Sequence, residues 1–508
     1  MIRETKYILI LLMAMIIADA SAQNSQVLYY MNLPQNHFNN PALRPSNSLY
    51  IGLPAVSGIN LNINNNFVNF SDIFMKGPTG DSILSFLHPG YNINNFLAKI
   101  HDKNWLEPQV SVQLFGLGFS VGKDAYLFLD INERMEGNVV LPGDLFKLAL
   151  TGNGGFIGNK IDFSAFRGDL RYYREAGLGF SKNLTNKLRI GVKGKLLFGI
   201  AGLSTDNRSF GISVGDTSRQ DYSNTLNSDI IVNISAPVNI NINSGHDIQS
   251  VVFDDKRFDT SSGISDFLLG KKNIGLGLDI GAVYDISDKL MVSAAITDLG
   301  FIKWKKDVTN LKIKSQFKFS GINIVDVING VKTFEEAGND MVDSLKNAFT
   351  VSGSNVRYTD YLPFGVTLGG SYNLSKDFSL GLLSYSRVIG KQIRESLTLS
   401  ANLNLGNALS TSISYTAANR QYDNLGAGLS FRAGIFQFYM LADRIPLMWN
   451  VIKGEMTIPD IIGSGTHSNP YSLTLPANWN TLNLRLGMNL VFGNKNKKKS
   501  DRPMVIVE

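Results

Sequence analysis

Leu188-Arg189-Ile190-Gly191-Val192-Lys193-Gly194-Lys195-Leu196-Leu197-Phe198-Gly199-Ile200 places an apolar residue or glycine at every even position. The odd positions, with Lys187 just ahead of the run, carry Arg189, Lys193 and Lys195. Successive side chains of a strand point to opposite faces, so this segment reads as a strand with one apolar and one wet face. The same alternation returns in 274–284, 397–405 and 482–492. A soluble sandwich would turn the apolar faces inward. A membrane barrel turns them to lipid and lines its lumen with the wet ones.

The chain's ends and composition favour the barrel. Arg3, Lys6, the apolar run Ile8 to Ile17 and Ala20-Ser21-Ala22 read as a secretory signal over residues 1–22, with the mature chain starting at Gln23. An apolar run of about ten residues is too short to span hydrocarbon, and nothing later approaches a transmembrane helix. Charged residues make up 18% of the 508, below the roughly one quarter usual in soluble proteins. The net charge of +6 comes partly from one C-terminal cluster and does not read as nucleic-acid binding. The expected fold is all-β: a transmembrane antiparallel barrel of about fourteen strands in the bacterial outer membrane.

Short turns of Asn, Asp, Ser and Gly alternate with long connections, as barrels with short periplasmic turns and long external loops require. Ser181–Leu188, Tyr284–Leu290 and Tyr372–Phe378 share one turn pattern. Wall strands are expected near 50–66, 110–121, 125–138, 171–182, 187–203, 273–285, 289–305, 363–373, 378–388, 395–405, 409–417, 424–433, 435–443 and 481–492. That parity puts both termini in the periplasm. Residues 229–243 also alternate, but as a wall strand they would put the next short turn outside. They are therefore assigned to a strand within the long external excursion.

The barrel proper is thus 50–492. Residues 23–49 are too apolar and aromatic for a solvated tail, which makes them a hatch for the lumen. Residues 493–508 form a basic periplasmic tail, read either as a solvated charge run or as a contact with peptidoglycan or an acidic partner. Helices are expected within the external loops: an amphipathic one over 327–349, a short one from Pro142 to Leu148 and a third around Ser82 to Phe86. Trp105, Trp304, Trp449 and Trp479 all fall where a strand meets a long loop, the pattern of an interfacial girdle or of chance.

Reactive constellations are scarce. His37, His88, His101, His246 and His467 lack metal-ligand spacing, and the chain has no cysteine, so no metal or cofactor is expected. Gly211-Ile212-Ser213-Val214-Gly215 matches a nucleophile elbow only formally, since no helical pattern follows it. The reading is therefore not an enzyme. Lys187, Arg189, Lys193 and Lys195 should line one lumen row. They form either an anion-attracting wall or partners for acids on neighbouring strands, such as Glu175 or Asp279.

Asn40-Pro41-Ala42 ahead of the first strand resembles the N-terminal segment of the long-chain fatty acid transporter superfamily, which includes type IX secretion barrels. Asn32-Leu33-Pro34-Gln35, Asn40 through Leu43, Asp144 through Leu148, Gly152-Asn153-Gly154 and Tyr173 through Phe180 resemble an uncharacterised family of Bacteroidetes outer-membrane barrels. The resemblance implies fourteen strands, a lumen plugged by the N-terminal hatch, and Phe492 as the aromatic read by barrel-assembly machinery. Two functions follow as expectations: a passive channel for hydrophobic or amphipathic small molecules, or a non-transporting scaffold or shuttle with an outer-membrane or periplasmic protein partner.

Overall fold

The computed structural model describes residues 26–73, 75–76, 83–84, 92–219, 221, 223–243, 248–269, 272–319, 333, 348–418, 421–459, 466–476 and 480–493. Fourteen antiparallel strands form the wall. The first is made of Leu49–Gly52 and Ile59–Asn65, two halves of one strand that pair with the same neighbours on either side. Then come Lys103–Val121, Ala125–Pro142, Arg167–Asn183, Leu188–Val214, Ile274–Asp285 and Leu290–Trp304. The eighth strand is Tyr358–Tyr361 continued by Phe364–Asn373. Phe378–Ile389, Gln392–Leu405, Leu409–Ala418, Gln421–Ala433, Phe436–Ala442 and Thr481–Phe492 complete the wall. The last strand pairs with both halves of the first, so the sheet closes and no edge remains within the wall.

The faces settle what kind of barrel this is. Leu178, Leu196, Ile280, Leu399, Ile413 and Met440, spread around the circumference, point outward and are 47–60% exposed. Asp130, Glu175, Lys193, Asp279, Thr398 and Asn402 point inward and are buried. Apolar outside and charged inside is the reverse of a soluble domain, and a closed barrel leaves no backbone group unpaired in lipid. Among the described residues no helix is long and apolar enough to cross a membrane.

The three related turns share one construction. Leu184, Ile286 and Leu374 each donate their N–H back to the strand beyond the turn. The hydroxyls of Thr185, Ser287 and Ser375 accept from the N–H three residues on, at 2.9–3.1 Å. The side chain thus supplies the acceptor that a tight turn lacks.

The strands run farther than the alternation suggests. The second begins at Lys103, the third ends at Pro142, the fourth begins at Arg167 and the fifth continues to Val214. Parts of the expected long loops are therefore sheet. Apolar alternation stops where hydrocarbon stops, after about ten tilted residues, whereas hydrogen bonding need not. Ser204 through Ser209 continue the fifth strand with polar side chains on both faces. Asn224–Ser235 pairs with that extension, Val308–Phe319 pairs with Asn224–Ser235, and Phe349–Ser354 follows. Residues 229–243, expected as one strand, divide between Asn224–Ser235 and Val238–Ile242, which lie in different sheets.

The helix expected from Pro142 is present as Gly143–Thr151. Around Ser82 to Phe86 the described pair Ile83–Leu84 is extended and pairs with Met75–Lys76 instead of coiling. Apart from its last two residues, the 327–349 segment falls outside the described residues except at Thr333; Ala348 lies in a turn and Phe349 begins a strand.

Candidate functional site

Residues 26–49 lie inside the barrel, with Val27–Tyr30 and Pro34–Phe38 as two short 3-10 turns. Val27 N–H donates to Asp443 Oδ1 (3.0 Å), and Gln26 Nε2 to Ser396 Oγ (2.8 Å). Gln35 exchanges two hydrogen bonds with Asn489, at 2.8 and 3.0 Å. His37 Nε2 faces Asp130 Oδ2 at 3.2 Å, and Arg44 donates to Ser181 Oγ and the Asp124 carbonyl. Burial pushes the Tyr29 and Tyr30 hydroxyls above the usual phenol range, so both stay protonated. Tyr30 Oη donates toward the carbonyls of Gly370 and Leu382 (2.8 and 2.6 Å).

Asn40-Pro41-Ala42 sits against two cross-strand glycines, Gly191 and Gly281, which are in register. A Cβ on Gly281 would lie 2.0 Å from Asn40 Oδ1, and one on Gly191 2.2 Å from the Pro41 carbonyl carbon. Asn40 Oδ1 accepts from Ala42 N–H (2.9 Å), which holds the turn closed. The hatch motif thus fills a dent that only paired glycines leave in the wall.

Beside this plug, ion pairs bridge the lumen. Arg134 grips Asp298 with two hydrogen bonds (2.7 and 3.0 Å) and also reaches Glu175 and Glu136. Lys193 Nζ lies 2.9 Å from both Asp130 and Glu175. Lys195 Nζ lies 2.6 Å from Asp298 and 2.8 Å from Asp279. Arg387, from the ninth strand, crosses to Glu107 and Glu136 on the second and third. Arg394 pairs with Glu107 at 2.6 Å and lies over the Trp105 ring. Arg171 holds Asp360 bidentately.

The expected basic row is therefore altered in two ways. Lys187 is exposed in the turn and outside the row. Lys193 and Lys195 are enclosed by acids, Glu175 and Asp279 among them, which leaves neither as a bare positive wall. Arg189 donates to Asn183 Oδ1 at 3.1 Å.

Two of the tryptophans are not a girdle. Trp105 and Trp304 point inward and are 7% and 0% exposed. Trp304 packs over Gly199 and Gly202 and stacks on Tyr358. The cause is a bulge: Asp298, at φ 63°, is the extra residue opposite Asp279. Outward positions are even before it (Val292, Ile296) and odd after it (Leu299), so Trp304 turns inside. Trp449 is exposed in the hairpin Trp449–Pro459/Thr466–Pro476, and Trp479 lies outside the described residues. Phe492 ends the closing strand, and the tail from 494 lies outside the described residues. Ser213 is the penultimate residue of the fifth strand, paired with Lys160 on one side and Thr225 on the other, and is followed by Val214 in the same strand.

A cavity of about 90 Å³ remains between plug and wall, lined among others by Tyr29, Phe38, Gln109, Arg134 and Arg485. An engineered apolar cavity of about 150 Å³ holds benzene, so this cavity admits a group smaller than that. Val110 and Met135, whose side chains face outward, also line it. Beside them the ladder between the second and third strands is interrupted at Glu107-Pro108 opposite Gly137-Asn138. Proline has no N–H to give there.

Sequence comparison decides the family: residues 41–443 match the model described as Family of unknown function (DUF5723). The chain belongs to this family. No curated protein sequence matches it. Among solved structures it is similar to a Pseudomonas aeruginosa FadL homologue, at 11% identity over 94% of this chain and 100% of that one, TM-score 0.41. The Pseudomonas putida toluene transporter TodX is similar at 8% identity over 93% and 99% of the two chains, TM-score 0.38. The Ralstonia pickettii toluene transporter TbuX matches at 10% identity over 94% and 100%, TM-score 0.36.

Proposed function

We propose that this member of the family is a passive outer-membrane channel for amphipathic small molecules, held shut by its own N-terminal segment. The observation that carries the reading is a lumen filled by residues 26–49, whose described contacts with the wall are all non-covalent: hydrogen bonds, the His37–Asp130 pair, glycine contacts and apolar packing. Such a plug is removable without breaking a covalent bond. The space beside it mixes cations with Phe38, Leu383 and Met135, which suits a molecule with one polar and one apolar end. In this reading the short turns and both termini face the periplasm, and the extended strands face outward. A chain lacking residues 26–45 but keeping its leader is expected to admit short fatty acids and alcohols into proteoliposomes at least about tenfold faster than the full chain. Unchanged flux for every amphiphile tried sinks the channel.

The second reading, a scaffold or shuttle for a protein partner, is favoured by the sheet that continues past the hydrocarbon. The fifth strand alone has 27 residues, roughly 90 Å at about 3.3 Å each. Purification from native membranes in mild detergent would return a stoichiometric partner under this reading and a lone barrel under the first.

A further inference from the structure

Arg485 stands apart from the other lumen cations. Arg134, Arg171, Lys193, Lys195, Arg387 and Arg394 each meet at least one carboxylate within 3.0 Å. Arg485, on the inward face of the closing strand, makes no hydrogen bond or ion pair among the described residues, and its Nε is buried without an acceptor. Its guanidinium lines the cavity, with the Phe38 ring of the plug 6.0 Å away. A buried guanidinium N–H without an acceptor is costly, and the planar fork of the group matches a carboxylate bidentately.

We propose that Arg485 and the cavity it faces form a binding site for a single carboxylate group. This rests on the channel reading only for the ligand's origin; the site itself stands on the unpaired guanidinium and the space before it. Glu136, Glu175 and Asp298 also line the cavity, each held by Arg134, so an incoming acid meets one donor that is not yet engaged. The volume holds only the carboxylate end: butyrate and any longer acid must lay their tails toward the ladder break at Pro108. A free small acid and an amphiphile's head group therefore present the same chemistry.

The test is saturable binding to the full-length barrel in maltoside micelles, read by thermal shift and by ligand-observed NMR, with butyrate, butyramide and octanoate as probes. Butyrate should bind about tenfold or more tighter than its neutral isostere butyramide, as a charge-assisted contact predicts. Arg485→Gln should abolish that preference, and Arg485→Lys should restore part of it. Octanoate tighter than butyrate identifies an amphiphile as the source; equal affinities identify small acids. Equal binding of butyrate and butyramide, no saturable binding of either, or a preference that survives in Arg485→Gln overturns the site. Heat-modifiable gel mobility checks that each variant is a closed barrel. Binding without flux would sink the channel and spare the site, and flux through the plug-deleted barrel without binding would do the reverse.

Discussion

Replacing Lys193 with Met is expected to lower barrel stability by about 3–5 kcal/mol, measured as the urea midpoint of refolding into micelles. The ammonium is fully buried and lies between Asp130 and Glu175, which are themselves 0% and 2% exposed. Removing it leaves two buried carboxylates without the cation between them. Glu175 retains Arg134 and Lys195, so the larger share of the loss falls on Asp130, whose remaining contacts are His37 and Asn132. The triple change Lys193→Met, Asp130→Asn, Glu175→Gln should recover most of the loss, since it removes the stranded charges along with their partner. A single Lys193→Met that unfolds at the parent's midpoint would show that water reaches this layer and that the bridge is ornamental.

Gly191→Val should expel the hatch motif rather than distort the wall. The backbone there has no positive φ, and a β-branched side chain suits a strand. Its Cβ, however, would fall 2.2–2.3 Å from main-chain atoms of Pro41 and Ala42, which cannot swing aside as a side chain can. The chain contains no cysteine, so an Ala42→Cys probe is unique. Ala42 is 0% exposed, and in the parent a bulky maleimide should label that cysteine slowly. In the Gly191→Val background labelling should rise at least about tenfold, because an opening of little more than 1.4 kcal/mol is enough. Labelling that stays slow while the barrel loses stability would mean that plug and wall yield together as one body.

The wall and its turns were legible because hydrocarbon imposes a strict rule: every second residue must be apolar for about ten residues. That residues 26–49 lie inside followed from composition, since Tyr29, Tyr30 and Leu33 have to be buried somewhere. What escaped were the features that break the period or lie beyond it. One extra residue at Asp298 inverts the faces of half a strand and carries Trp304 inside, and no pattern in 289–305 announces it. The extended sheet escaped because two wet faces show no alternation. The bridging layer was legible only in part. Glu175 and Asp279 could be named as partners from strand adjacency, but Arg387 meets Glu107 and Glu136 across the lumen, and adjacency is silent about what lies opposite. Inward Arg134 and Glu136 were also masked by outward Glu133, which pairs with Arg174 on the other face. Arg485 looked like one more polar residue on the wet face of the last strand; its lack of an acid is visible only once every other pairing is known.

The plug bonds to strands from both ends of the sequence: Asp130 and Ser181 early, Asp443 and Asn489 late. The seam that shuts the wall joins the first strand to the last, the most distant pairing the chain can make. Assembly therefore has an order built into it. The earliest residues to arrive must wait, partly docked on early strands, until the latest ones supply the other half of their contacts, and closure of so remote a pair is slow. During that wait the N-terminal segment acts as a former around which the cylinder is rolled. Its absence should accordingly delay closure.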